Sequence, residues 1–143
     1  MKYLGKNKIL SVILVSSIIA SSVILIYILV TPKPGERFTE FYILSLNGKA
    51  SNYPTNLKIG EEGNVIIGIV NQEHDEVTYR LEVKFNGIIM FEECISISHI
   101  ESRERLFTFK STKKGKNQKL EFILYKDKQI EAYRKLQLWV NVI

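Results

Sequence analysis

The sequence predicts an all-β domain held at a membrane by one N-terminal helix. Three observations carry this: residues 9–30 contain neither charge nor proline, apolar residues alternate with a period of two from Phe38 onward, and turn residues break that alternation at short intervals. The chain has 143 residues, and the part beyond the apolar segment, roughly a hundred of them, is long enough to bury a core without metals or cross-links.

The apolar segment reads "ILSVILVSSIIASSVILIYILV". As a helix rising about 1.5 Å per residue it spans about 33 Å, enough for a hydrocarbon core of about 30 Å. Its β-branched residues are no obstacle, because a helix satisfies its own backbone in lipid. A cleaved signal peptide has a similar layout, with lysines, an apolar stretch and "ASS" at 20–22, but here the apolar run continues from Val23 to Val30. An uncleaved anchor is therefore expected. Lys2, Lys6 and Lys8 precede the span, whereas Lys33 and Arg37, with Glu36, follow it. The flanking cations predict a cytoplasmic N-terminus (1–8) and an extracellular domain. Ser17, Ala20 and Ser21, with Ser16, set small residues four apart and are candidates for helix packing, the alternative being a stripe that simply faces lipid.

Residues 31–37, "TPKPGER", form a linker, in which Pro32 and Pro34 forbid further helix. Seven residues reach at most about 24 Å, so the domain (38–143) is expected near the headgroups.

Within the domain the clearest strand is 77–85, where Val77, Tyr79, Leu81, Val83 and Phe85 share one face. Asn86-Gly87 then gives a two-residue hairpin of type I′, returning through 88–91. Further strands are expected at 38–45, 56–59, 64–71, 93–98, 105–110, 119–125 and 133–142. Seven to nine short strands without an amphipathic helix predict two packed antiparallel sheets, an immunoglobulin-like sandwich.

Composition excludes several function classes. The net charge is +5, but removing Lys2, Lys6 and Lys8 from the 20 Lys and Arg leaves 17 against 15 acidic residues, an ordinary soluble surface. The segment 110–119, "KSTKKGKNQK", is read as a solvated loop, with Lys113, Lys114 and Lys116 as a candidate patch for an anionic ligand. It lacks the stacking rings of a nucleic-acid surface, and no nucleic acid is expected as a partner. Cys94 is the lone cysteine, so there is neither an intrachain disulfide nor a cysteine-based zinc set.

The most chemical-looking stretch is Gln72 to Glu76, "QEHDE". Two alternating strands must reverse between Asn71 and Val77, and a reversal is normally polar because its backbone needs water. Consecutive residues rarely aim all their side chains at one point, so Glu73, His74, Asp75 and Glu76 are read as a solvated turn rather than a cation site. Cys94, in "EECISIS", shares a strand side with Glu92 and Ser96 and is expected to be a small buried or half-buried side chain rather than a nucleophile served by His74 or His99. His99 reads as a turn residue. No phosphate loop, nucleophile elbow or H-E-x-x-H pair occurs. No catalytic residue, cofactor or metal is expected, and the chain is not expected to be an enzyme.

In the last strand Leu136, Leu138, Val140 and Val142 share the buried parity, which places Trp139 outward with Tyr133, Lys135, Gln137 and Asn141. Trp139 and Tyr133 are thus candidate contact residues for a protein partner or the headgroup layer, unless a loop covers the tryptophan or local strand geometry turns it inward.

The pieces "FTEFYIL", "YPTNL", "GIVNQE" and "LQLW", spaced over Glu36 to Ile143, resemble the C-terminal module of an archaeal membrane-protein family of unknown function. The resemblance implies an immunoglobulin-like sandwich beyond the membrane and no reaction. Larger members of that family carry several spans before the module, whereas one is read here. Together these readings lead to the expectation of a non-enzymatic, single-pass envelope protein whose domain mediates protein contact or self-association. The alternative is a binding module for an anionic lipid or an envelope glycan through the lysine segment or the Trp139 surface.

Overall fold

The computed structural model describes residues 5–31 and 35–143; Lys2 and the linker residues Pro32, Lys33 and Pro34 lie outside them. The chain forms two compact units, divided after Gly35.

The first unit is one helix, α1 (Lys6–Val30), 25 residues with a mean hydropathy of 2.7, long and apolar enough to cross a membrane. None of its residues is buried. Ser11, Ser16, Ser21 and Ser22 donate their hydroxyls to the carbonyls of Asn7, Ile13, Ser17 and Ile18, so these four polar groups are satisfied within an otherwise apolar rod. Ser17, Ala20 and Ser21 are exposed on its surface.

The second unit is a β-sandwich. Its strands are β1 (Phe38–Leu44), β2 (Asn56–Leu57), β3 (Glu62–Gln72), β4 (Val77–Phe85), β5 (Ile88–Ile97), β6 (Ser102–Lys110), β7 (Gly115–Lys126) and β8 (Arg134–Val142). One sheet has the order β1-β3-β6 and the other β2-β8-β7-β4-β5. Pairing is antiparallel except for the two-residue contact of β2 with β8, which is parallel. The two expected strands at 88–91 and 93–98 are one ten-residue strand, because a bulge opposite Val83/Lys84 absorbs the extra residue that interrupts the alternation at Met90. The Asn86-Gly87 hairpin forms as predicted, with φ of 50° and 81° and Phe85 opposite Ile88.

Alternation becomes core. Val65, Ile67 and Ile69 of β3 face Tyr79, Leu81 and Val83 of β4, with Phe107, Phe109, Leu120, Phe122 and Leu124 completing one cluster. Phe107 meets Phe122 edge-on, with ring centroids 6.2 Å apart, a favoured aromatic geometry. The strand registers bring the start of β1, β4, β6 and β8 and the end of β3, β5 and β7 to one end of the sandwich, the proximal pole, where the chain comes in. The β4–β5 hairpin and the β6–β7 connection lie at the opposite, distal pole.

Candidate functional site

The β3–β4 reversal differs from the solvated turn expected of it. Glu73 is buried, 3 % exposed. Its side chain continues the inward parity of Val65, Ile67, Ile69 and Asn71 beyond the end of the strand. Its Oε1 accepts hydrogen bonds from Thr39 (2.8 Å) and Tyr133 (2.6 Å), and its Oε2 accepts from Lys126 Nζ (2.9 Å). Thr39 Oγ1 also lies 2.7 Å from the Tyr79 hydroxyl. One carboxylate therefore joins β1 of one sheet to β7 and to the residue just before β8 in the other, and Thr39 extends the network to Tyr79 of β4. Burial alone would raise the Glu73 pKa, but hydrogen bonds from Tyr133, Lys126 and Thr39 and the Lys126 charge outweigh it and hold the group below its ordinary value. Asp75 and Glu76 remain exposed.

Asn71, with no exposed surface, is the second hub that the sequence reading did not single out. Its amide donates to the carbonyls of Asp75 and Ile97 (2.7 Å each), and its side-chain oxygen accepts from Glu73 N–H (2.8 Å). Its backbone bonds Glu101 and Ile100. The two proximal turns are thereby locked together. His74, at φ 70°, gives its backbone N–H to His99 Nδ1 (3.1 Å), with the two rings 4.8 Å apart. Among the described residues, no group of three or more His, Cys, Asp or Glu converges as a metal site would require.

Cys94 is exposed, not buried or half-buried as expected. It sits with Glu92 and Ser96 on the outward side of β5, the edge strand of its sheet, where the alternation turns side chains to the surface. The histidines lie at the proximal turns instead.

Trp139 points outward as predicted and is 50 % exposed, opposite Lys119 of β7. Tyr133 does not share its surface. β8 begins at Arg134, so the strand parity stops short of Tyr133, whose hydroxyl turns in toward Glu73. The rest of this outer face carries ionic groups: buried Glu82 is ringed by Arg80, Lys84 (3.6 Å) and the Tyr125 hydroxyl (3.3 Å), and Arg80 lies 3.9 Å over the Tyr125 ring.

The lysine segment is not a single loop. Lys110 ends β6, and Lys116 and Lys119 belong to β7, leaving only 111–114 as connection. Buried Gln118 pins it by donating to the carbonyls of Lys113 (2.9 Å) and Gly115 (3.2 Å). Lys119 is held by Glu121 (2.7 Å). Lys113, Lys114 and Lys116 are exposed at the distal pole, and among the described residues no carboxylate pairs with them.

Comparison with known proteins places this geometry. The family model for "Domain of unknown function (DUF1616)" matches residues 32–141. No curated protein matches the chain. Among solved structures, the crystal structure of the CARDB domain of the PF1109 protein from Pyrococcus furiosus, in complex with di-metal ions, superposes with a TM-score of 0.54 at 13 % identity, covering 78 % of this chain and 97 % of that one. The solution structure of the same domain gives 0.54 at 13 % identity, covering 76 % and 98 %. The likeness shows that the sandwich is immunoglobulin-like.

Proposed function

The chain belongs to the DUF1616 family, a domain of unknown function, and on that premise we propose that it is a non-enzymatic, single-pass protein of an archaeal cell envelope whose immunoglobulin-like domain, displayed outside, mediates contact with another protein close to the membrane. The observation that carries this reading is Trp139, a half-exposed tryptophan on a regular strand of a rigid sandwich. Large aromatic side chains presented on rigid elements are the usual anchors of protein interfaces. The apolar helix α1, with Lys2 ahead of it and Lys6 and Lys8 in its first turn, supports the anchored, outward-facing topology. The separation of Cys94 on β5 from His74 and His99 in the proximal turns supports a non-enzymatic role.

Photo-cross-linking from Lys119, opposite Trp139 on β7, in intact membranes tests the proposal. A discrete protein adduct that disappears with Trp139→Ala is expected; recovery of uncross-linked chain alone contradicts it.

A second reading rests on Lys113, Lys114 and Lys116, exposed and without carboxylate partners among the described residues. It assigns the domain to an anionic lipid or an envelope glycan. Salt-sensitive binding to anionic vesicles or to envelope glycan, lost when the three lysines become glutamine, supports it; salt-insensitive or absent binding does not.

A further inference from the structure

We infer that the free edge of β8 pairs antiparallel with β8 of a second copy of this chain, Leu136 facing Leu136 across the two-fold axis, so that two five-stranded sheets become one. The inference rests on the proposed protein-contact role and names its partner and surface.

The edge is open for a topological reason. β7 flanks β8 on one side, but on the other β2 covers only Asn141 and Val142. There the N–H groups of Asn141 and Ile143 donate to Thr55 and Leu57 (2.7 and 2.9 Å), so odd-numbered residues of β8 turn their backbone groups toward that side. Lys135, Gln137 and Trp139 follow the same parity, and among the described residues nothing takes their outward N–H or C=O groups. An unpaired ladder of this kind is a template for another strand.

The other edges carry devices that discourage such pairing. β5 turns Glu93 inward, its Oε1 held by Arg105 at 2.7 Å, and shifts register after Val83. β6 carries Arg103, Glu104 and Arg105 directly after its first residue, Ser102. On β1 the carbonyl of Ile43 is taken by the Tyr53 hydroxyl (2.9 Å). β8 carries charge only at Arg134 and Lys135.

Charge and burial select the register. With Leu136 opposite itself, Lys135 faces Gln137 of the second copy and Arg134 faces Leu138, so no like charges oppose. Lys135 and Gln137 supply the hydrogen-bonded pairs, and the Asn141–Thr55 bond stays intact. Leu136 faces the core by parity yet is only partly buried; on the axis the two leucines cover one another. Moving the axis to Gln137 draws the groups of Trp139 into the ladder beside Thr55, where β2 already stands.

The test uses the full chain in lipid nanodiscs, with Cys94→Ser to remove the native thiol. Residues facing each other in a non-hydrogen-bonded antiparallel pair lie about 4.5 Å apart at Cα, within disulfide range. Leu136→Cys is therefore expected to give a disulfide-linked band at twice the chain mass on mild oxidation. Lys135→Cys and Gln137→Cys are expected to link only when mixed. Gln137→Pro removes an outward N–H without touching the β7 ladder, so it should fold yet cut the Leu136→Cys cross-link at least tenfold. Absence of the Leu136→Cys dimer, or linking of Gln137→Cys alone, overturns the pairing. A chain that fails to dimerise but retains the Trp139-dependent adduct sinks this inference and leaves the proposed function standing; loss of both sinks both.

Discussion

The Tyr133 hydroxyl donates a 2.6 Å hydrogen bond to the buried carboxylate of Glu73, sixty residues earlier in the chain. Removing it with Tyr133→Phe leaves a buried charge short of one donor and is expected to cost about 1.5–3 kcal/mol in chemical denaturation. Glu73→Ala strands Thr39, Tyr133 and Lys126 together and should cost more, about 3–5 kcal/mol.

The same carboxylate sets the acid limit. Glu73 titrates lower in the folded chain than its ordinary 4.5. Its contribution is thus complete above about pH 4.5 and is lost as pH falls through the lowered folded value. Stability against urea measured from pH 7 to pH 3 should fall steeply in the wild type and more shallowly in Glu73→Gln, which starts lower; parallel curves would show that another group governs acid unfolding.

Asn71→Ala removes three side-chain hydrogen bonds from a site with no exposed surface and frees two turns at once. A loss of about 2–4 kcal/mol is expected. Hydrogen exchange should rise first in 73–76 and 98–101; faster exchange confined to the distal pole would contradict the assigned role.

Gly68 is required by the ring laid across it. A Cβ there would meet Tyr42 at 2.1 Å, and that ring is tied to Glu104 by a 2.8 Å hydrogen bond. The Tyr42 pKa is pushed up to about 12 by burial and by Glu104, so the hydroxyl stays a donor at any ordinary pH. Gly68→Ala is expected to cost about 1–3 kcal/mol, most of it recovered in the double variant with Tyr42→Ala. Equal losses in both backgrounds would refute the clash.

Much of this architecture was legible because alternation survives in sequence: 77–85, the Asn86-Gly87 turn and the outward Trp139 stand where period and turn chemistry put them. The Glu73 hub was hidden because "QEHDE" records polarity, whereas the partners Thr39, Lys126 and Tyr133 come from three distant stretches. The usable signal was parity: Asn71 and Glu73 continue the inward series of β3, and a polar residue in buried register calls for buried partners. Tyr133 was misplaced for the opposite reason, since the alternation of β8 was extended one residue past its start. The lysine segment read as one loop because charge spacing does not show where a ladder ends, and a strand bearing lysines on its exposed side has the same composition.

Cys94 offers the most direct test of an anchored domain displayed outside the cell. It is the lone thiol, and it is exposed on the outward side of β5. A membrane-impermeant maleimide applied to intact cells should label it at once, with Cys94→Ser as the blank. Labelling that appears only after the membrane is broken would place the domain inside and contradict the account.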